Sequence, residues 1–276
     1  MATSFKTLQA SDIQQARTKL HEAIPLTGTI VSGTYLLANQ STNVKNYTHG
    51  MFQSVYDYPY LSSSANHIFD ITVGVSADSA LSNSIMQQGK QKIQLYNQMA
   101  QVLVGHDATG SIRPFDADGD LSSGAKFKDA VFFNFSRLLV KDEVQKGTFR
   151  MNFSVDPTGA YDQQSRTNRV LVIEDQSGST SFKTNSPAGE YGILYSSSAH
   201  ANTGINGLGL IYYQAGVVVL TGSIFGFVDG FTPRSVGTGT GEDFQTVLTG
   251  STIDIVADGF RNRIDNIQFN NTTELN

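Results

Sequence analysis

The feature that most constrains this chain is the alternation from Ile68 to Val75. Ile68, Asp70, Thr72 and Gly74 fall on one side, and Phe69, Ile71, Val73 and Val75 on the other. Side chains of a strand point to opposite faces with period two, so this stretch reads as a strand with one buried face. Phe149, Met151, Phe153 and Val155 alternate in the same way with Arg150, Asn152 and Ser154. Further strands are expected at Arg169 to Glu174, Tyr191 to Tyr195, Leu208 to Tyr213 and Val217 to Leu220. Gln214-Ala215-Gly216 joins the last two as a hairpin-type connection. Val131 to Val140 suits a strand, although Phe132, Phe133, Phe135, Leu138 and Leu139 would also suit a short helix. Thr29 to Leu37 is β-prone as well.

Helical periodicity is confined to the first part of the chain. Ser11 is a good N-cap with Asp12 in the first turn, Ile13, Ala16, Leu20 and Ala23 recur at helical spacing, and Pro25 ends the pattern. A longer helix is expected from about Ser84 to Val104. Its apolar stripe would run through Ile85, Gln88, Lys92, Leu95, Met99 and Val102, with Ile93, Tyr96 and Leu103 beside it, and Gly105 would end it. The opposite face carries Gln87, Lys90, Gln91, Gln94, Gln98 and Gln101, which suits either a solvated surface or hydrogen bonding to another protein. The fold expected is therefore mainly β, a β-sandwich-like body with an N-terminal helical part, α+β overall. A boundary near Gly110 would divide a mixed helix/strand region, 1–110, from a β-rich body, 111–276.

Composition removes whole classes of function. The 276 residues include no cysteine, so disulfide scaffolds, zinc ribbons, iron–sulfur clusters and thiol nucleophiles are out. The net charge of −5 is the wrong sign for a protein that binds by neutralising phosphates, so no nucleic-acid partner is expected. No apolar run approaches the ~20 residues of a membrane helix, so no membrane partner is expected either. Charged residues make up only 16%, against about 25% in an average domain, which suits a surface that neighbours cover.

Few residues suggest chemistry. Asp116-Ala117-Asp118-Gly119-Asp120 places alternating carboxylates in a turn, where Asp116, Asp118 and Asp120 could converge on calcium. The EF-hand reading fails, because Phe127 stands where the bidentate Glu belongs and Leu121 where the glycine belongs. Gly237-Thr238-Gly239-Thr240-Gly241 has the glycines of a phosphate loop but no lysine follows, and it reads as a flexible loop within 231–242. The five histidines are scattered, with no His-x-x-x-His pair. Ser197, Ser198 and His200 share one loop but sit in no Gly-x-Ser-x-Gly elbow. The expectation is no enzyme and no cofactor. Tyr47, Tyr56, Tyr58 and Tyr60, close together beside Met51 and Phe52, suit either a wet core edge or a contact surface. Interface candidates are Tyr56, Tyr58 and Tyr60, then Gln87, Gln91, Gln94 and Gln98, then Gly237, Gly239 and Gly241.

Longer strings add a family. His49 to Tyr60 (HGMFQSVYDYPY), Tyr96 to Leu103 (YNQMAQVL), Phe135 to Glu143 (FSRLLVKDE), Gly147 to Phe149 and Gly209 to Leu220 (GLIYYQAGVVVL) resemble stretches of a family of virion structural proteins from contractile-tailed marine phages. The likeness spans about Ser11 to Asn276. It implies a tail or baseplate component, a wedge protein made in the host cytoplasm and located in the virion, which binds other phage virion proteins and copies of itself. A neck or connector protein and a fibre-attachment adaptor are the near alternatives. A glycan-binding module at the tail tip is the alternative of another class. Relatives in that family are expected to continue past Asn270 to Asn276, which implies a short or truncated variant here.

Overall fold

A computed structural model describes residues 18–25, 42–83, 85–154, 170–196, 207–225 and 244–275. In chain order these form β1 (Thr18–Pro25), β2 (Val44–Asn46), β3 (Gln53–Tyr56), β4 (His67–Val75), α1 (Gly89–Leu103), β5 (Phe115–Asp116), β6 (Lys126–Phe127) and β7 (Asp129–Phe135). Then come α2 (Arg137–Val140), β8 (Glu143–Val144), β9 (Arg150–Ser154), β10 (Val170–Glu174), α3 (Gly178–Ser181), β11 (Tyr191–Ser196), β12 (Gly209–Tyr212) and β13 (Val217–Thr221). The described chain closes with α4 (Phe244–Gly250), α5 (Ile253–Arg263) and β14 (Ile264–Leu275).

Twelve of the strands join one sheet in the order β1-β14-β9-β10-β11-β12-β13-β7-β4-β3-β2, with β8 also on β14. Its pairings are antiparallel throughout, and β5 and β6 form a separate hairpin. The protein is mainly β. The sheet crosses Gly110, since β4 pairs along its length with β7.

The central strands are buried on both faces, which explains their near-continuous apolar runs. On β7, Val131, Phe133 and Phe135 enter one core while Ala130 and Phe132 enter another. β13 divides likewise, Val218 and Leu220 against Val217 and Val219. Across the first core the sheet turns back on itself. The Phe135 ring lies 5.4 Å from Phe269 of β14 and 6.0 Å from Phe149. Val247, Leu248, Val256 and Phe260 of α4 and α5 fill the same space. Each fully buried side chain of this size contributes about 1.5–3 kcal/mol. The second core lies under α1 and the β5–β6 hairpin. The Tyr96 hydroxyl of α1 donates to Phe127 O at 2.6 Å and accepts from the Phe115 N–H at 3.3 Å, which pins the hairpin to the helix.

Two glycines are required by this packing. A Cβ on Gly74 would stand 2.8 Å from the backbone nitrogen of Tyr96, so β4 and α1 approach through it. Gly216, in the β12–β13 connection, has φ +65°, and a Cβ there would meet Val140 at 2.7 Å.

Several expectations change. Residues 18–25, the second half of the expected N-terminal helix, are strand β1, and Ser11 to Ala16 lie outside the described residues. β1 pairs with β14 from Thr18↔Leu275 to Pro25↔Gln268, and that long-range ladder overrides the local spacing of Leu20 and Ala23. The long helix begins at Gly89 rather than Ser84, because tertiary contacts use the residues before it. The Gln87 N–H donates to Thr249 O, and the Gln88 side-chain oxygen accepts from the Ile253 N–H at the start of α5. The buried face of α1 is Lys92, Tyr96, Ala100 and Leu103, whereas Ile85 and Val102 are exposed. Both readings of Val131 to Val140 are partly right, as β7 is followed by the short α2. The segment that carries Asp254, Asp258, Arg261, Arg263 and Asp265, whose mixed charge gives no clear periodicity, folds as α5 and the twelve-residue β14. The β-prone run 29–37 lies outside the described residues.

Candidate functional site

The acidic turn is the loop between β5 and β6. Phe115 and Phe127 anchor its ends in the second core. This anchoring buries Asp116, while Asp118 and Asp120 face solvent. Asp116 Oδ2 accepts from the Leu121 N–H at 2.6 Å and from the Lys126 ammonium at 2.9 Å. Its Oδ1 is buried and accepts from no donor among the described residues. Burial raises the Asp116 pKa, and Lys126 and the Leu121 N–H oppose that rise. One carboxylate oxygen from each of Asp116, Asp118 and Asp120 lies within 4.8 Å of the other two. The loop tip is tied down from outside, since the Asn185 amide and the Tyr191 hydroxyl both donate to Gly119 O, at 3.1 and 3.4 Å.

The tyrosine cluster sits at β3 and in the β3–β4 connection. Tyr56 packs edge-on against His67 (5.6 Å between ring centroids) and near Tyr60 (6.4 Å). Tyr58, Tyr60 and Leu61 are exposed, Leu61 at 87%. The loop that presents them is held by Asp57, which accepts from the Asn66 N–H at 2.6 Å and from the Asn66 amide at 2.8 Å. Beside them the Asp70 carboxylate accepts from Ser54 Oγ at 2.5 Å and lies 2.8 Å from His67 Nε2. The Tyr47 ring stacks on His49 and meets Phe52 at a tilt, 4.7 Å between centroids. The result is a patch of aromatic rings interleaved with polar groups, on the outermost strands of one end of the sheet.

Gln91, Gln94 and Gln98 form an exposed row on α1, with Gln87 exposed in the turn before it. Gly237, Gly239 and Gly241 lie outside the described residues, as do Ser197, Ser198 and His200.

Two buried polar centres carry no local signal in the sequence. Lys92 is fully buried on α1, and its ammonium donates to Leu248 O at 2.5 Å and to Ser251 O at 2.7 Å, at the C-terminal end of α4. Burial lowers its pKa to about 8. Asp175, after β10, accepts from the Gly147 N–H and the Tyr213 hydroxyl, both at 2.8 Å. Burial raises the pKa of both side chains, and the nearby carboxylate raises that of Tyr213 further. Lys146 lies over the Tyr213 ring and pairs with Glu190 at 2.6 Å and Glu143 at 3.6 Å. Apart from Glu143, three residues before Lys146, these partners come from distant segments, so spacing in the chain could not reveal them.

No family model, no curated protein and no solved structure matches this chain.

Proposed function

We propose that the chain is a structural subunit of a bacteriophage contractile tail, a baseplate wedge protein that assembles with other virion proteins and with itself. Its body is sandwich-like, its role is non-catalytic, and its place is the virion tail. The strings quoted above motivate the family. The observation that carries the assembly reading is β1, the outermost strand at one end of the sheet order, whose backbone pairs with β14 and, among the described residues, with no other strand, and which is exposed from Thr18 to Ala23. An open edge of this length is a template for strand addition by a neighbour. The exposed Tyr58, Tyr60 and Leu61 and the glutamine row on α1 are further surfaces of the chemistry that interfaces use. Among the described residues no helix is long and apolar enough to cross a membrane.

The test is to locate the chain in a cryo-EM map of whole particles, together with solution mass measurement of the purified protein. Density for the chain in the tail, with self-association or co-purification with tail proteins, is expected. A rigid, monodisperse monomer absent from purified virions overturns the proposal.

A further inference from the structure

The loop between β5 and β6 is built for more than an acidic turn needs. Asp116 is 1% exposed, yet its Oδ1 has no hydrogen-bond donor, although its Oδ2 has both a backbone N–H and an ammonium. A carboxylate oxygen of Asp116 and one of Asp120 lie within 4.8 Å of each other. Two carboxylates at that range repel unless a proton or a cation lies between them. The third, Asp118, completes a group whose oxygens fall within 4.8 Å of one another. Ligand oxygens on opposite sides of Ca²⁺ are about 5 Å apart, so all three fit one coordination sphere. Three carboxylates against the Lys126 ammonium leave two negative charges, the charge a divalent cation neutralises. Lys183 packs its methylene stem over Gly119.

We propose that this loop binds one Ca²⁺ through the carboxylates of Asp116, Asp118 and Asp120, with water completing the sphere on the exposed side. A hard cation that takes six to eight oxygens suits an all-carboxylate set open to water. The buried, bare Oδ1 of Asp116 is the anchor. Asp118 and Asp120 close over the ion from the solvent side. The hydrogen bonds from Asn185 and Tyr191 to Gly119 O hold the loop in place before the ion arrives. With three protein carboxylates and Lys126 opposing, the affinity belongs to the weak class, with Kd about 10⁻⁴–10⁻³ M.

The chain has no tryptophan, so terbium emission sensitised at the loop must come from tyrosine. Tyr191, whose hydroxyl lies 3.4 Å from Gly119 O in the loop, is a suitable donor beside the site. The full chain is titrated with Tb³⁺ under tyrosine excitation, then with Ca²⁺ and Mg²⁺ as competitors, and is melted with Ca²⁺ and with EDTA. Saturable emission displaced by Ca²⁺, with a Tm raised by Ca²⁺ and reset by EDTA, is expected. Asp118→Asn and Asp120→Asn should each weaken binding about tenfold or more, while the melting temperature in EDTA stays level or rises, because each removes one of the mutually repelling charges. Emission that Ca²⁺ does not displace, displacement by Mg²⁺ equal to that by Ca²⁺, or binding unchanged in the Asp118→Asn/Asp120→Asn double variant overturns the assignment. None of these outcomes depends on the place of the chain in a virion.

Discussion

Lys92 gives the sharpest test of the packing between α1 and the α4–α5 pair, through the variant Lys92→Met. Methionine keeps an unbranched apolar stem but removes the ammonium, leaving Leu248 O and Ser251 O without their donor. An orphaned buried acceptor costs about 1–3 kcal/mol, and methionine also removes the desolvation of a buried charge, which offsets part of this loss. The two contributions separate with pH. The lysine titrates at 10.5 when unperturbed and at about 8 in the fold. Between those values the unfolded chain holds the proton and the folded chain has released it, so wild-type stability rises with pH across this window. The full shift corresponds to about 3 kcal/mol, and the pull of the helix-end carbonyls together with residual hydration trims the change from about pH 7 to about pH 10 to about 1–2 kcal/mol. Lys92→Met lacks this slope. Urea denaturation of both proteins at the two pH values should therefore show a destabilised variant whose deficit widens at the higher pH. Other titrating groups cancel in the difference. A deficit that stays constant or narrows refutes the reasoning, because Lys92 would then keep its charge in the fold at no cost.

Two further substitutions probe the sheet. Gly74→Ala drives a methyl group to 2.8 Å from the Tyr96 nitrogen, so α1 must shift; denaturation should show a loss of about 1–3 kcal/mol that Tyr96→Ala does not rescue, since the obstructing atoms include backbone. Tyr213→Phe removes one donor from the buried Asp175 and should cost about 1–3 kcal/mol at neutral pH. Burial holds the Asp175 pKa above 3.8, and loss of the tyrosine donor lifts it further. The cost should therefore shrink as pH falls and Asp175 becomes protonated in both proteins, which denaturation at descending pH checks.

How much of this fold is legible in the sequence depends on where each element's partners lie. β4 is readable because its alternation reports one buried face directly. β12 and β13 are readable as apolar runs around a glycine-containing turn. β1 is not, because what makes it a strand is β14, some 250 positions away along the chain (His21 and Thr272 are 251 apart). The helical spacing of Leu20 and Ala23 is real and loses to that ladder. α5 is obscured by its charges: Arg261 and Arg263 are buried, and Arg261 pairs with Asp258 one turn back, so the usual equation of charge with surface fails there. The three aspartates of the loop are visible as a motif, but the burial of Asp116 is not. It follows from Tyr96 holding Phe115 and Phe127 under α1, a contact across 19 and 31 residues. The Asp175–Tyr213 pair, 38 residues apart, leaves no trace at all in local pattern.

A sheet filled on both faces leaves its outermost strands, ends and loops as the places where another molecule can add to it. This makes the hold on β1 informative. No residue from Thr18 to Ala23 is buried, and the apolar hold is the partial packing of Ile24 against the first core at the far end of the strand. Among the described residues the strand is also held by the ladder to β14, the contact of His21 with Thr272, and the ion pairs of Lys19 with Glu143 at 3.3 Å and Glu274 at 3.2 Å. Partly exposed pairs of this kind are worth at most about 1 kcal/mol and weaken with salt, while ordering each backbone residue costs about 1–2 kcal/mol. A strand this weakly held gains most from pairing on its second side, which no described residue occupies, and where another chain would bond its backbone and cover Leu20, which is 53% exposed. The same accounting does not hold for β2 at the opposite end, which is only three residues long and has Val44 buried. If the protein assembles by strand addition, β1 is therefore the edge that has the most to gain.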